Sequence, residues 1–206
     1  MARPQRLDRQ PGLKHPPMNP PMNPPEAHAH VRALIAADAA VLHVAPPRVC
    51  FVTRAGGPCY EALFNRIEID AATLALPEPL LNVVIAHEVG HATQRRSMLF
   101  DLARAMLLVA ALMSVPCLLF AASPEEEWWR VSAPGIGVVL ALFAARRIWR
   151  THAARRCTAL ELDADAKAAS IHGASLALQA LEVMAARGGI DVARLDAMRA
   201  RLGSND

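Results

Sequence analysis

The sequence predicts a mostly helical α+β protein interrupted by an apolar two-helix hairpin. Three observations carry that reading. Helical periodicity dominates outside one short stretch, residues 48–69, which holds two strand-like runs. Residues 105–122 form an 18-residue run without a single charge, and residues 131–145 form a second run of 15. The chain as a whole is 53% apolar yet 20% charged, with only 4% aromatic residues, so its polarity is unevenly distributed. Such an apolar content excludes a wholly disordered chain. A net charge of +3 is too mild to indicate a nucleic-acid partner. The cysteines stand at 50, 59, 117 and 157 with no C-x-x-C spacing, which excludes a disulfide scaffold and a cysteine zinc finger and points to reduced thiols.

Residues 1–26 hold eight of the 16 prolines, and Pro16-Pro17-Met18-Asn19 repeats at once as Pro20-Pro21-Met22-Asn23. This reads as an extended, disordered arm. Its first fifteen residues lack an apolar core, so no cleavable secretory signal is expected. Val31, Leu34, Ile35, Ala39 and Leu42 then recur at helical steps, predicting a helix over 26–44 that Pro46-Pro47 stops. Residues 48–53 read as a strand, 55–58 as a turn, and 65–69 as a second strand. Pro77 and Pro79 mark the start of a helix expected to run from about 78 to about 98.

The run 105–122 reaches the length of a transmembrane helix. A polar turn follows, with Glu125, Glu126, Glu127, Trp128, Trp129 and Arg130. The second run, lengthened by the two tryptophans, ends in Arg146-Arg147-Ile148-Trp149-Arg150, a basic and aromatic anchor. Arg95, Arg96 and Arg104 precede the hairpin, and Arg146, Arg147, Arg150, Arg155 and Arg156 follow it. The positive-inside rule then places both termini in the cytoplasm and the Glu-rich turn outside. Residues 152–202 are Ala-rich and helical, punctuated by Gly173 and Gly188-Gly189 into two or three helices.

The chemistry centres on His87-Glu88-Val89-Gly90-His91, a match to H-E-x-x-H. Residues four apart share a helix face, so both imidazoles reach one ion, and zinc accepts two such nitrogens. Glu88 projects beside them as a base for a zinc-activated water. A catalytic zinc needs a third protein ligand, and Glu161-Leu162-Asp163-Ala164-Asp165 supplies a candidate beyond the hairpin. Glu161 is the expected third ligand. Asp165, one turn on, is expected to accept an N–H from a ligand histidine. The stretch from His91 to Arg104 nearly equals in length the stretch from Arg147 to Glu161. If both connections stay helical, each ligand stands about 20 Å from the membrane boundary, so the hairpin returns the chain at matching height.

With these motifs, the chain resembles the membrane zinc proteases that include HtpX and the CAAX prenyl proteases, which carry H-E-x-x-H and a downstream E-x-x-x-D. Glu88 to Gln94 is also similar to the YugP-type membrane metallopeptidases. The resemblance covers about residues 31–186. It implies a zincin-like, gluzincin-type catalytic domain interrupted by a two-helix transmembrane hairpin. It further implies one Zn2+ per chain on His87, His91 and Glu161, with Glu88 as catalytic base and Asp165 behind the ligands. The expected organisation is an arm over 1–26, a first catalytic part over 27–100, the hairpin over 101–150 and a second catalytic part over 151–206. Membrane helices ahead of H-E-x-x-H, usual in HtpX-like enzymes, are missing here. The family's substrate-aligning edge strand is matched only loosely, by residues 65–69.

Tyr60, His152, His172, Arg155 and Arg156 are the candidates for stabilising an oxyanion. His28, His30 and His43 suggest no metal site, since positions 28 and 30 do not share a helical face. The expected function is a two-pass membrane zinc metalloendopeptidase, in the inner or plasma membrane if bacterial, with a cytoplasmic active site. Its partners would be the bilayer and a membrane or membrane-adjacent polypeptide substrate, with quality control as a natural role. Two alternatives stand beside it: a membrane-anchored interaction module with a structural or vestigial metal site, and a soluble metalloprotease whose apolar hairpin is core or dimer contact.

Overall fold

The computed structural model describes residues 24–53, 56–122, 128–186 and 190–203. The part of the expected arm that precedes Pro24, the Glu-rich turn at 123–127 and the Gly188-Gly189 break lie outside them. The elements in chain order are α1 (Pro24–Val41), β1 (Arg48–Val52), β2 (Cys59–Glu61), β3 (Arg66–Asp70), α2 (Ala71–Leu74), α3 (Glu78–Thr93), α4 (Arg95–Ala122), α5 (Trp128–His172), α6 (Ala174–Ala186) and α7 (Val192–Gly203). The protein is thus a mostly helical α+β fold with a small mixed sheet.

The sheet has the order β1-β3-β2, with β1 parallel and β2 antiparallel to β3. The strand expected at 65–69 is therefore the central one, and the edge nearest the site is β2, which sequence patterning missed. Cys50 and Cys59 pair with Glu68 from opposite sides. Two strand spacings put them about 10 Å apart, beyond the reach of a disulfide. Asp70 ends β3 and caps α2, accepting from Thr73 N at 2.9 Å. Its other oxygen accepts from Gly57 N at 3.2 Å and Gly56 N at 3.4 Å, which holds the loop ahead of β2.

α3 is buried along most of its length and on all sides, as suits a central helix. Ile85 and Val89 pack with Val31 and Ile35 of α1 and with Ile67 and Ile69 of β3. Against α5, the contact is close enough to need a glycine. A Cβ on Gly90 would lie 3.1 Å from Ala164 Cα and 3.2 Å from its carbonyl oxygen.

The helix expected to continue to residue 98 stops at Thr93. Gln94 interrupts it, with its N–H on His91 O, and α4 begins at Arg95. Arg95 anchors that start by donating to Ala62 O at 2.8 Å. Near its base α4 is tied to α5, where Arg156 meets Asp101 at 3.1 Å and also bonds Ser97. The α5 helix is a single element of 45 residues, unbroken where the apolar run gives way to the Ala-rich part. It ends at Gly173, whose φ of +91° a side chain would resist.

Within α4, Arg95–Ser114 is long and apolar enough to cross a membrane, with mean hydropathy 1.6 and none of it buried in the protein. Leu107, Met106, Val109 and Met113 are all more than half exposed. A water-facing surface rarely carries so much contiguous apolar area, and this helix supports placement in a membrane.

Candidate metal centre

His87 and His91 lie one turn apart on α3, and their Nε2 atoms stand 3.2 Å from each other. Glu161, on α5, brings Oε2 to 3.4 Å from His87 Nε2 and Oε1 to 3.5 Å from His91 Nε2. Two ligands bound tetrahedrally at about 2.0–2.1 Å from one zinc ion stand about 3.3–3.4 Å apart. The three donors therefore converge at the spacing a single small cation requires, although α4 and the first part of α5 separate His91 from Glu161 in sequence.

Each histidine also has a partner on its far nitrogen. His87 Nδ1 stands 2.8 Å from Asp165 Oδ1, an ion-pair contact. His91 Nδ1 faces Gln94 Oε1 at 3.1 Å. Both contacts leave Nε2 for the shared point between the ligands. Asp165 is in turn gripped by Arg194 of α7, at 2.7 Å from Nε and 2.8 Å from a terminal nitrogen. The same guanidinium reaches Glu161 Oε2 at 2.8 Å through its remaining nitrogen. Asp163, between the two carboxylates, bonds Lys167 and Gln94.

The electrostatics favour positive charge at the centre. Burial works against a charged His87, yet Asp165 and Glu161 outweigh it and raise its pKa to about 9. The closeness of His87 and His91 holds Glu161 well below the usual carboxylate range. Asp165 would be raised by its burial, but His87 and Arg194 pull it below its ordinary value. Glu88 behaves oppositely. It is fully enclosed, and its desolvation raises the pKa against the pull of His87 and His91.

These groups line one end of a cavity of about 460 Å3. The rest of its wall is apolar, with Val83, Val84, Leu181 and Met184, and its rim is the loop Gly56–Gly57–Pro58 running into β2. Of the candidates for oxyanion stabilisation, Tyr60 lines the cavity but its hydroxyl donates to Asn65 Oδ1 at 2.8 Å. Arg156 is tied to Asp101, and His172 faces Asp38 of α1 at 3.7 Å. His152 and Arg155 are exposed and lie off the cavity wall. The cation that does line it, Arg194, was not anticipated. It stands far past Asp165 in an arginine-rich chain, with no local motif to mark it. Gln94 was also missed, though its position three residues after His91 on a helix was a usable signal. The N-terminal histidines are placed elsewhere, with His28 stacked on Phe51 at a centroid distance of 3.6 Å and His30 beside Glu78.

Comparison with known proteins gives no matching family model, no matching curated protein and no matching solved structure. The likeness to particular protease families thus rests on the motif residues alone. What the geometry itself presents is a His/His/Glu cluster able to coordinate a metal, zincin-like in arrangement, beside a helix long and apolar enough to cross a membrane.

Proposed function

We propose that the protein is a membrane-anchored zinc metalloendopeptidase whose folded domain is split by a two-pass hairpin. His87, His91 and Glu161 would hold one zinc ion per chain, and Asp165 would orient His87. Zinc in such a site supplies a Lewis acid and brings the pKa of a bound water near neutrality. Glu88 takes a proton from the attacking water and delivers it to the leaving amine. Its burial suits this work, because a raised carboxylate pKa lies closer to the working pH. Arg194 holds Asp165 and Glu161 in place and balances their charge.

The observation that carries the reading is the convergence of the three ligand atoms, all within 4.8 Å of one another, with the enclosed Glu88 beside them. β2 supports a polypeptide substrate. No strand pairs with its outer edge among the described residues, and Cys59 and Tyr60 of that strand line the same cavity as Glu88. An extended chain added there would gain main-chain hydrogen bonds next to the base. The apolar wall of the cavity suits an apolar substrate side chain. The exposed apolar residues of α5, including Ile136, Leu140 and Phe143, support a second crossing. The arginines flanking the hairpin support a cytoplasmic site and cytoplasmic termini. Membrane or membrane-adjacent polypeptides are then the substrates within reach, and quality control is the fitting role.

Glu88→Gln tests the mechanism. The variant is expected to keep its zinc and to cleave peptides about 10²- to 10⁴-fold more slowly. Cleavage at the wild-type rate would overturn Glu88 as the base.

A further inference from the structure

Gln94 is 8% exposed at the joint between α3 and α4, and both ends of its amide have partners. Nε2 donates to the Leu160 carbonyl at 3.0 Å and to Asp163 Oδ2 at 2.6 Å. Oε1 stands 3.1 Å from His91 Nδ1. The orientation of the amide follows from these partners. A backbone carbonyl can only accept, so the side facing Leu160 must be the NH2 group. Lys167 bonds the same Asp163 oxygen. The carbonyl of Gln94 is therefore left facing His91, and an acceptor at that point requires Nδ1 to carry the ring proton. The lone pair then sits on Nε2, the atom that faces His87 and Glu161. Leu160 immediately precedes Glu161, so the same amide also ties the histidine helix to the helix of the third ligand.

We propose that Gln94 is a positioning residue of the metal centre, which fixes the His91 tautomer and clamps α5 against α3 beside Glu161. This rests on the metal-site reading above. Hydrogen bonds behind a metal ligand typically change metal affinity about 10- to 100-fold when removed. Gln94→Met keeps the volume and loses all three contacts. Gln94→Glu keeps an acceptor for His91 and loses both donations to α5.

The test uses the full chain in detergent, with two readouts. Zinc affinity is measured by competition with a chromophoric chelator. Carbon and nitrogen shifts of histidine-labelled, zinc-loaded protein report which ring nitrogen is bound. The expected result is wild-type binding through Nε2 of His91, a loss of about 10- to 100-fold in Gln94→Met, and a smaller loss in Gln94→Glu with Nε2 still bound. Wild-type affinity in Gln94→Met would overturn the proposal. Should that variant not fold, Gln94→Glu decides: binding through Nδ1 in the folded protein would overturn it equally. Wild-type protein that takes up no zinc would overturn the metal-site reading together with the role of Gln94, whereas a zinc-loaded wild type indifferent to both substitutions overturns only the latter.

Discussion

Helix α5 passes through two regions that are built on opposite principles. Between Ile136 and Phe143 it exposes Ile136, Val139, Leu140 and Phe143 and carries no charge. Between Leu160 and Ala169 it carries Glu161, Asp163, Asp165 and Lys167, each bonded to another element or to its own helix. The first region is specified by composition, because its surroundings are expected to be lipid and any apolar residue will serve. The second is specified by particular atoms at particular distances, so that a change of one group leaves a buried partner unsatisfied. One unbroken helix thus joins an interchangeable surface to a set of non-interchangeable contacts, and substitutions should separate the two.

The largest effect is expected from a charge on the apolar surface that α4 shares with the first region of α5. Val109 is 58% exposed on α4. Val109→Arg is expected to cost up to about 3 kcal/mol of insertion energy, shifting the protein into the soluble fraction on carbonate extraction, whereas Val109→Leu should not. Full retention of the arginine variant in the membrane would break the contrast. Asp165→Asn tests the other region. It keeps the shape of the carboxylate but weakens the grip on His87 and Arg194, and zinc affinity should fall about 10- to 100-fold in chelator competition. An unchanged affinity would mean that the contacts behind the ligands are dispensable. Gly90→Ala probes the packing that brings the two helices together. Its Cβ would be 3.1 Å from the Ala164 backbone, and overpacking of this kind costs about 1–3 kcal/mol in denaturant unfolding. No loss of stability would show that α5 can retreat without penalty.

The same contrast explains what could be read from the sequence. The apolar runs and the H-E-x-x-H and E-x-x-x-D spacings were legible because each is a local pattern tied to the period of one helix. β2 was not, being only three residues long and following directly on a glycine-proline turn. The break at Gln94 was hidden for a different reason. Nothing in the residues from 78 to 98 opposes a continuous helix, and the stop coincides with bonds from Gln94 to Leu160 and Asp163, on the far side of the hairpin. Arg194 is likewise defined by its reach to Asp165 and Glu161. Contacts between distant segments leave no periodic trace, so the clustered His87, His91 and Glu161 were readable while most of the groups bonded to them were not.

The central claim is that two separate segments build one metal site, and the metal content of detergent-purified protein tests it most directly. Wild-type protein should hold about one zinc per chain, with a reduced content in Glu161→Ala. Folded wild-type protein that binds no zinc when the ion is supplied, or a variant that retains it equally, would contradict the account.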